Sequence, residues 1–245
     1  MNYLNTHNID NNLDYWQHIR NNMFLSNNKD IETIKRKKEE SKFWSKISQK
    51  YDNWIENAFK KQYEVFKPKI ASYIQPDDKV LEIGTGTGEI AFYIAPICRS
   101  VTGTDISPEM IEIARAKNAD IGYKNIDFQV EDAYDLSFDK NTFTKIISCN
   151  VLQTMEYPFK AVQESNNILV EGNEYLSITY CYGDTSFMER VKLIKWVILY
   201  GKPKYWHNFK SSELVDIFQK SGFEIIENEW IWEKPTVLFL RSRKT

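Results

Sequence analysis

From Phe43 to Phe59 the apolar residues Phe43, Trp44, Ile47, Tyr51, Trp54, Ile55 and Phe59 recur at steps of three and four. That is the spacing of one face of an amphipathic helix, or of a pair of helices, and it must bury against something. Ahead of it, Leu13 to Phe24 and Asp30 to about Glu40 have helical propensity, the second carrying Ile31 and Ile34 against a charged run from Lys35 to Glu40. Both read as surface helices. Residues 1 to about 12 are polar and without period, which predicts a loose arm. A further helix is expected over Lys61 to Ile74, where Pro68 removes a donor and should kink the helix or start a new one.

At Asp77 the texture changes. Four short apolar runs predict strands buried in a parallel sheet: Lys79 to Ile83, Ser100 to Thr104, Ile126 to Val130 and Phe143 to Cys149. Helical runs alternate with them at Gly88 to Ile97, Pro108 to Ala119 and Pro158 to Leu169. Alternation at this pitch predicts an α/β fold with a doubly wound, Rossmann-like, mostly parallel sheet. A fifth strand, Tyr175 to Tyr180, follows an expected turn at Glu171, Gly172 and Asn173, and an insertion at about 183–210 brings an apolar helix and an aromatic loop. Ser211 to Leu214 opens another helix with capping residues, and Phe223 to Trp230, a turn at Glu233 to Pro235 and Thr236 to Arg241 predict a terminal antiparallel pair. The sheet so predicted has seven strands.

At ~150 residues per domain, the 245 residues suggest one large domain with an appendage. The expected division is an N-terminal arm and helical cap or lid over 1–75 and a Rossmann-like domain over 76–245. Hydrophobic residues at 42% and charged residues at 27% suffice for a folded core. Lys plus Arg, 32, against Asp plus Glu, 34, leaves a net charge of -2, which supplies no field for holding a polyanion and argues against dedicated nucleic-acid binding. The expectation is a cytoplasmic protein: no apolar run is long enough to span a membrane, and the first twenty residues lack a basic region followed by an apolar one. Cys98, Cys149 and Cys181 are far apart and have no histidine nearby, so they read as buried free thiols, and no metal is expected.

The candidate chemistry lies in Val80 to Ala91, a strand running into Gly84, Thr85, Gly86, Thr87 and Gly88 and then a helix. Glycines let the chain turn sharply and approach a ligand closely, beside the free N–H groups of a helix start. The spacing is G-x-G-x-G with Glu89 where a dinucleotide fingerprint requires glycine. Glu82 and Glu89 also place carboxylates where a pyrophosphate would need positive potential. Asp105, at the end of the second strand, can accept both hydroxyls of a ribose. Glu131, Asp132 and Ala133, after the third strand, stand where an adenine edge would lie. An adenosine with a positively charged tail satisfies all of these.

Here the chain resembles the class I S-adenosylmethionine-dependent methyltransferases, in particular the small-molecule branch of the ubiquinone/menaquinone-biosynthesis type (methyltransferase type 11), from about Lys79 to Leu169. The resemblance implies S-adenosyl-L-methionine as cofactor. It assigns Glu82, Gly84, Thr85, Gly86 and Gly88 to the motif around the methionine part and Asp105 to the ribose. Ile106 and Met110 would flank the adenine, which Asp132 and Ala133 would contact, and Asn150 would lie where the backbone closes over the methionine end. Tyr51 with Asp52 matches, less specifically, the start of a cofactor lid.

Methyl transfer from a sulfonium is an in-line displacement that needs alignment and exclusion of water more than a dedicated catalytic residue. For a hydroxyl acceptor a base would help, and His207 ranks first, ahead of Glu156, Tyr157, Tyr180 and Tyr182. The acceptor pocket is expected at the carboxyl ends of the strands, with Tyr180, Tyr182, Tyr200, Tyr205, Trp206 and Phe209 as its wall. This points to a small, partly apolar or aromatic acceptor. The Asn/Asp-Pro-Pro-Tyr motif of base methylation is absent after the fourth strand, where the chain reads Asn150, Val151, Leu152, Gln153. RNA or protein methylation therefore ranks below small-molecule methylation. The alternatives are a binding module that holds the cofactor without transfer, aminopropyl transfer in the same pocket, and a dehydrogenase.

Overall fold

The computed structural model describes residues 10–245, with side chains from residue 31 onward except for several in the helix at 187–200. The chain divides into two compact units at Glu39 and Glu40. The described part of the first is helical throughout. Helix α1 is assigned over Asp10–Trp54. The expected arm and separate helices are corrected here. No Gly or Pro interrupts residues 10–54, so nothing in the backbone chemistry ends a helix there, and α1 begins within the stretch read as a loose arm. The rest of that arm, residues 1–9, lies outside the described residues.

In the second unit a π-helical turn, Ile55–Phe59, leads into α2 (Lys60–Ala71). Pro68 does not begin a new helix: α2 runs through it and ends three residues later, giving up the one hydrogen bond a donor at 68 would have made to the carbonyl of Glu64. Then come β1 (Lys79–Ile83), α3 (Glu89–Ile94), β2 (Ser100–Asp105), α4 (Pro108–Ile121), β3 (Ile126–Val130), β4 (Phe143–Cys149), α5 (Pro158–Ile168) and β5 (Leu169–Tyr180). The chain finishes with α6 (Phe187–Tyr200), α7 (Ser211–Lys220), β6 (Phe223–Glu233) and β7 (Thr236–Lys244).

The seven strands form one sheet in the order β3-β2-β1-β4-β5-β7-β6. The first five are parallel, and β7 runs antiparallel to both β5 and β6. Successive residues of a strand point to opposite faces, and the core divides accordingly. Val80, Ile147, Val237 and Phe239 pack on the face covered by α2, α3 and α4, while Leu81, Ile146, Leu238 and Leu240 pack on the face covered by α5 and α7. This is the doubly wound, Rossmann-like architecture expected from the alternating pattern.

β2, β6 and β7 run one to three residues beyond their expected ends, to Asp105, Glu233 and Lys244, and the strand read far too short is β5. Phe143 pairs with Leu169 and Lys145 with Glu174, so Val170 to Asn173 bulge opposite Thr144 alone. Gly172, at φ +75°, makes that bulge. What looked like a turn before the strand is an irregularity inside it.

Candidate functional site

The switch point of the sheet lies between β1 and β4, and the loop leaving β1 sits beside it. Gly84 (φ +69°), Gly86 (φ +54°) and Gly88 (φ +91°) all occupy left-handed backbone, which lets the chain double back within five residues. The amide of Thr85 donates to the carbonyl of Thr104 (2.8 Å), tying the loop to β2. The amide of Gly86 donates to Oδ2 of Asp105 (2.9 Å), whose Oδ1 accepts from the amide of Ser107 (2.9 Å). Tyr51 lies over the loop: a Cβ on Gly86 would come to 3.4 Å from its ring. Thr87 donates to Oδ1 of Asp52 (2.6 Å), and Lys117 pairs with Oδ2 of Asp52 (2.7 Å). The Tyr51 and Asp52 pair is thus fastened to the glycine loop through both residues.

One cavity collects nine of the residues singled out in the sequence: Tyr51, Gly84, Gly86, Asp105, Ile106, Met110, Asp132, Ala133 and Asn150. Glu82, Thr85 and Gly88 do not line it. Glu82 lies beneath the loop, where its Oε2 accepts from the Thr85 hydroxyl (2.6 Å), and burial raises its pKa to about 8 against the opposing hydrogen bonds of Thr85 and the Ala91 amide. Gly88 is a packing position, since a Cβ there would meet Phe92 at 2.7 Å. Burial likewise raises Asp105 to about 6, although the amides of Ser107 and Gly86 pull the other way. Glu131, read with Asp132 and Ala133 at the adenine edge, lines it too, and wall residues not expected there include Trp44, Glu40 and Thr154.

A second cavity, of about 280 Å³, shares Trp44, Tyr51, Asn150 and Thr154 with the first. Edge-to-face contacts link Trp44, Tyr51, Trp54 and Phe59 in series, Phe59 continues to Tyr180, and Tyr180, Tyr182 and Trp206 are stacked at 5.3 Å. Of the expected wall, Tyr180, Tyr182 and Trp206 are present, Tyr205 and Phe209 are not, and the side chain of Tyr200 lies outside the described residues. The rings at 44, 51, 54 and 59 carried a helical period, but period alone does not distinguish a core face from a cavity wall.

Asn150 stands at the junction of the two cavities, with φ +60° and its amide donating to the carbonyl of Ile178 (2.8 Å). Its Oδ1 is buried without a hydrogen-bond partner. His207, the ranked base, lines neither cavity. Its amide donates to the carbonyl of Gln153 (2.7 Å), its Nε2 lies 2.7 Å from the carbonyl of Met155, and its ring stacks on Phe209. A ring nitrogen facing a carbonyl must donate, so His207 braces the short turn Leu152–Thr154 instead of facing a substrate. Glu156 and Tyr157 also stand outside both walls.

Fold and loop together define a Rossmann-like domain with a glycine-rich loop at its switch point. A family described as "Methyltransferase domain" matches residues 80–172, from β1 into β5. Over that stretch the chain is similar to methyltransferase domains, in line with the resemblance to the class I S-adenosylmethionine-dependent methyltransferases. The chain is 24% identical over 137 residues to the ubiquinone/menaquinone biosynthesis C-methyltransferase of Zymomonas mobilis, a match covering 55% of this chain and 57% of that protein. It therefore spans little more than half the length of that relative. To the phosphatidylethanolamine N-methyltransferase of Cereibacter sphaeroides it is 25% identical, over 81% of this chain and 97% of that one. The crystal structure of a methyltransferase of Thermotoga maritima, named as a possible histamine N-methyltransferase, superposes with a TM-score of 0.65 at 19% identity, covering 83% of this chain and 99% of that one. That likeness speaks to the fold. Among the described residues, no helix is long and apolar enough to cross a membrane.

Proposed function

We propose that the chain binds S-adenosyl-L-methionine in the first cavity and transfers its methyl group to a small-molecule acceptor in the second. The observation that carries this reading is the shared wall: Asn150, Tyr51, Trp44 and Thr154 belong to both cavities, so two ligands would meet there. The first cavity fits the cofactor. Its glycine cradle admits close approach, Asp105 offers lone pairs beyond those its two amides use, and the unpartnered Asn150 Oδ1 asks for a donor. When bound, the sulfonium supplies an activated methyl group. The residues of the chain would do the rest: Asp105 holds the ribose, Ile106 and Met110 flank the base, Asp132 and Ala133 contact its edge, and Gly84, Gly86 and Tyr51 bound the amino-acid end.

The modest volume of the second cavity favours a small acceptor over a protein or RNA segment. The test is calorimetric titration with S-adenosylmethionine and S-adenosylhomocysteine, followed by incubation with labelled methyl donor and a metabolite panel. Heat together with labelled product is the expected result. Heat without product would favour a binding module or aminopropyl transfer, and no heat from either compound would end the proposal.

A further inference from the structure

We infer that the second cavity is an ammonium-binding cage, so that the acceptor is an amine carrying an apolar or aromatic body and the methyl group goes to nitrogen. The inference rests on the cofactor reading for the position of the methyl donor, but the cage stands on its own observations. The first is charge. Among the described residues, neither cavity is lined by a lysine, arginine or histidine, whereas Glu40, Asp105, Glu131 and Asp132 line one and Glu189 the other. A carboxylate or phosphate on the acceptor would enter against this field with no partner. The second is the ring belt, whose π faces attract a cation and disfavour an anion.

The third is a set of buried oxygens in or beside that wall with no hydrogen-bond partner: Oδ1 of Asn150, Oε1 of Gln153 and the hydroxyl of Tyr180. Gln153 is 3% exposed and Tyr180 4%. Each can accept a hydrogen bond, and buried acceptors are rarely left unmet, so the complementary ligand is rich in N–H donors. An ammonium group has up to three.

Chemistry points the same way. The phenols of Tyr51, Tyr63, Tyr180 and Tyr182 in this wall are all held protonated by burial. None serves as a base at neutral pH for a hydroxyl acceptor, and His207 is turned elsewhere. An alkylammonium gives up its proton to water far more readily than an alcohol does. The balance is then complete: the ammonium loses one proton to water, the nitrogen lone pair forms the new N–C bond, and the C–S bond breaks with its electron pair on sulfur.

The test uses the full chain saturated with S-adenosylhomocysteine, whose own binding heat is recorded first. It is titrated with 2-phenylethylamine, 2-phenylethanol and phenylacetate, three probes of one shape that differ in charge. Quenching of tryptophan fluorescence reports occupancy, because Trp44, Trp54 and Trp206 line the cavity. The amine should bind at least tenfold more tightly than the alcohol, with phenylacetate weakest, and tetramethylammonium should compete with it. Gln153→Met should cost the amine at least fivefold and the alcohol, with its single donor, less, while leaving S-adenosylhomocysteine unchanged, the last also showing that the variant is folded. Equal affinities, a preference for the alcohol or the carboxylate, or no amine binding at millimolar concentration would overturn the cage. Absence of S-adenosylhomocysteine heat with the amine preference intact would overturn the cofactor reading alone.

Discussion

The amide of Gly86 donates to Oδ2 of Asp105 across 2.9 Å, so the glycine loop after β1 and the acid ending β2 are one construction. Burial holds that carboxyl at about 6. Asp105 is therefore ionised at pH 7.5 and largely protonated at pH 5, where it loses the charge that would strengthen the proposed hydrogen bonds from ribose hydroxyls. Affinity for S-adenosylhomocysteine should fall between pH 7 and pH 5, and Asp105→Asn should weaken binding while flattening that dependence. A hydrogen bond to a charged group contributes ~1.5–3 kcal/mol, so Asp105→Ala should cost about ten- to a hundredfold in Kd. Calorimetry across that pH range checks both.

Glu82 gives a stability prediction of definite sign. Its folded pKa, about 8, lies above the ordinary value of 4.5 because burial disfavours the charge. Below pH 4.5 the group is protonated in both folded and unfolded chains and costs nothing. As pH rises from 4.5 to 8 the unfolded chain ionises first, so stability is lost across that window and the loss is constant above it. Glu82→Gln keeps the shape and a hydrogen-bonding oxygen without the charge. Its melting temperature should equal that of the parent near pH 4.5 and exceed it increasingly up to pH 8, as thermal melts at fixed ionic strength would read.

Gly84 combines two constraints that substitution can separate. Its φ of +69° disfavours any side chain, and a Cβ there would sit 2.5 Å from Cγ2 of Val151. Gly172, at φ +75°, has nothing within 4 Å of such a Cβ. Gly172→Ala should therefore show conformational strain alone, ~1–2 kcal/mol, whereas Gly84→Ala should lose more. Adding Val151→Ala to Gly84→Ala should recover the clash but not the strain. Denaturant melts of the three variants would fail this account if the double substitution recovered nothing.

The alternation of strands and helices from Lys79 on, and the acid and glycine spacing from Glu82 to Asp105, were legible because both arise from neighbours in the chain: side-chain period and backbone φ. Of the residues that the first cavity gathers, Asp105 and Asp132 could be named from their places at strand ends, whereas Ile106, Met110 and Asn150 were implied only by the resemblance to a known family. The ring-lined second cavity was legible only in part: Tyr180, Tyr182 and Trp206 were expected in its wall, but Trp54 and Phe59 meet Tyr180 only through tertiary packing. The place of His207 was not legible, since a lone histidine in a loop carries no sign of whether its ring meets a substrate or a carbonyl. The bulge in β5 was misread because glycine beside polar residues signals a turn and a bulge alike.

A final prediction concerns how the parallel sheet is fastened to its antiparallel edge. Glu174, on β5, accepts from Lys145 of β4 (3.0 Å) and from Arg241 of β7 (2.7 Å), and so joins the strands on either side of it. Both Glu174 and Lys145 are buried. Desolvation alone would raise the Glu174 pKa, but the hydrogen bonds of Arg241 and Lys145 and their charges outweigh it and hold it at about 2. The stability this contributes is present above the ordinary value of 4.5 and lost as pH falls from there toward 2. Glu174→Ala removes the partner and leaves Lys145 charged in the core, at a cost of ~3–5 kcal/mol. Lys145→Met in the same chain removes the orphaned charge, so the double variant should recover much of that loss at neutral pH and show less acid sensitivity between pH 4.5 and 2. If the two losses simply add in denaturant melts, the pair is not coupled and the clamp across β4, β5 and β7 is only geometric.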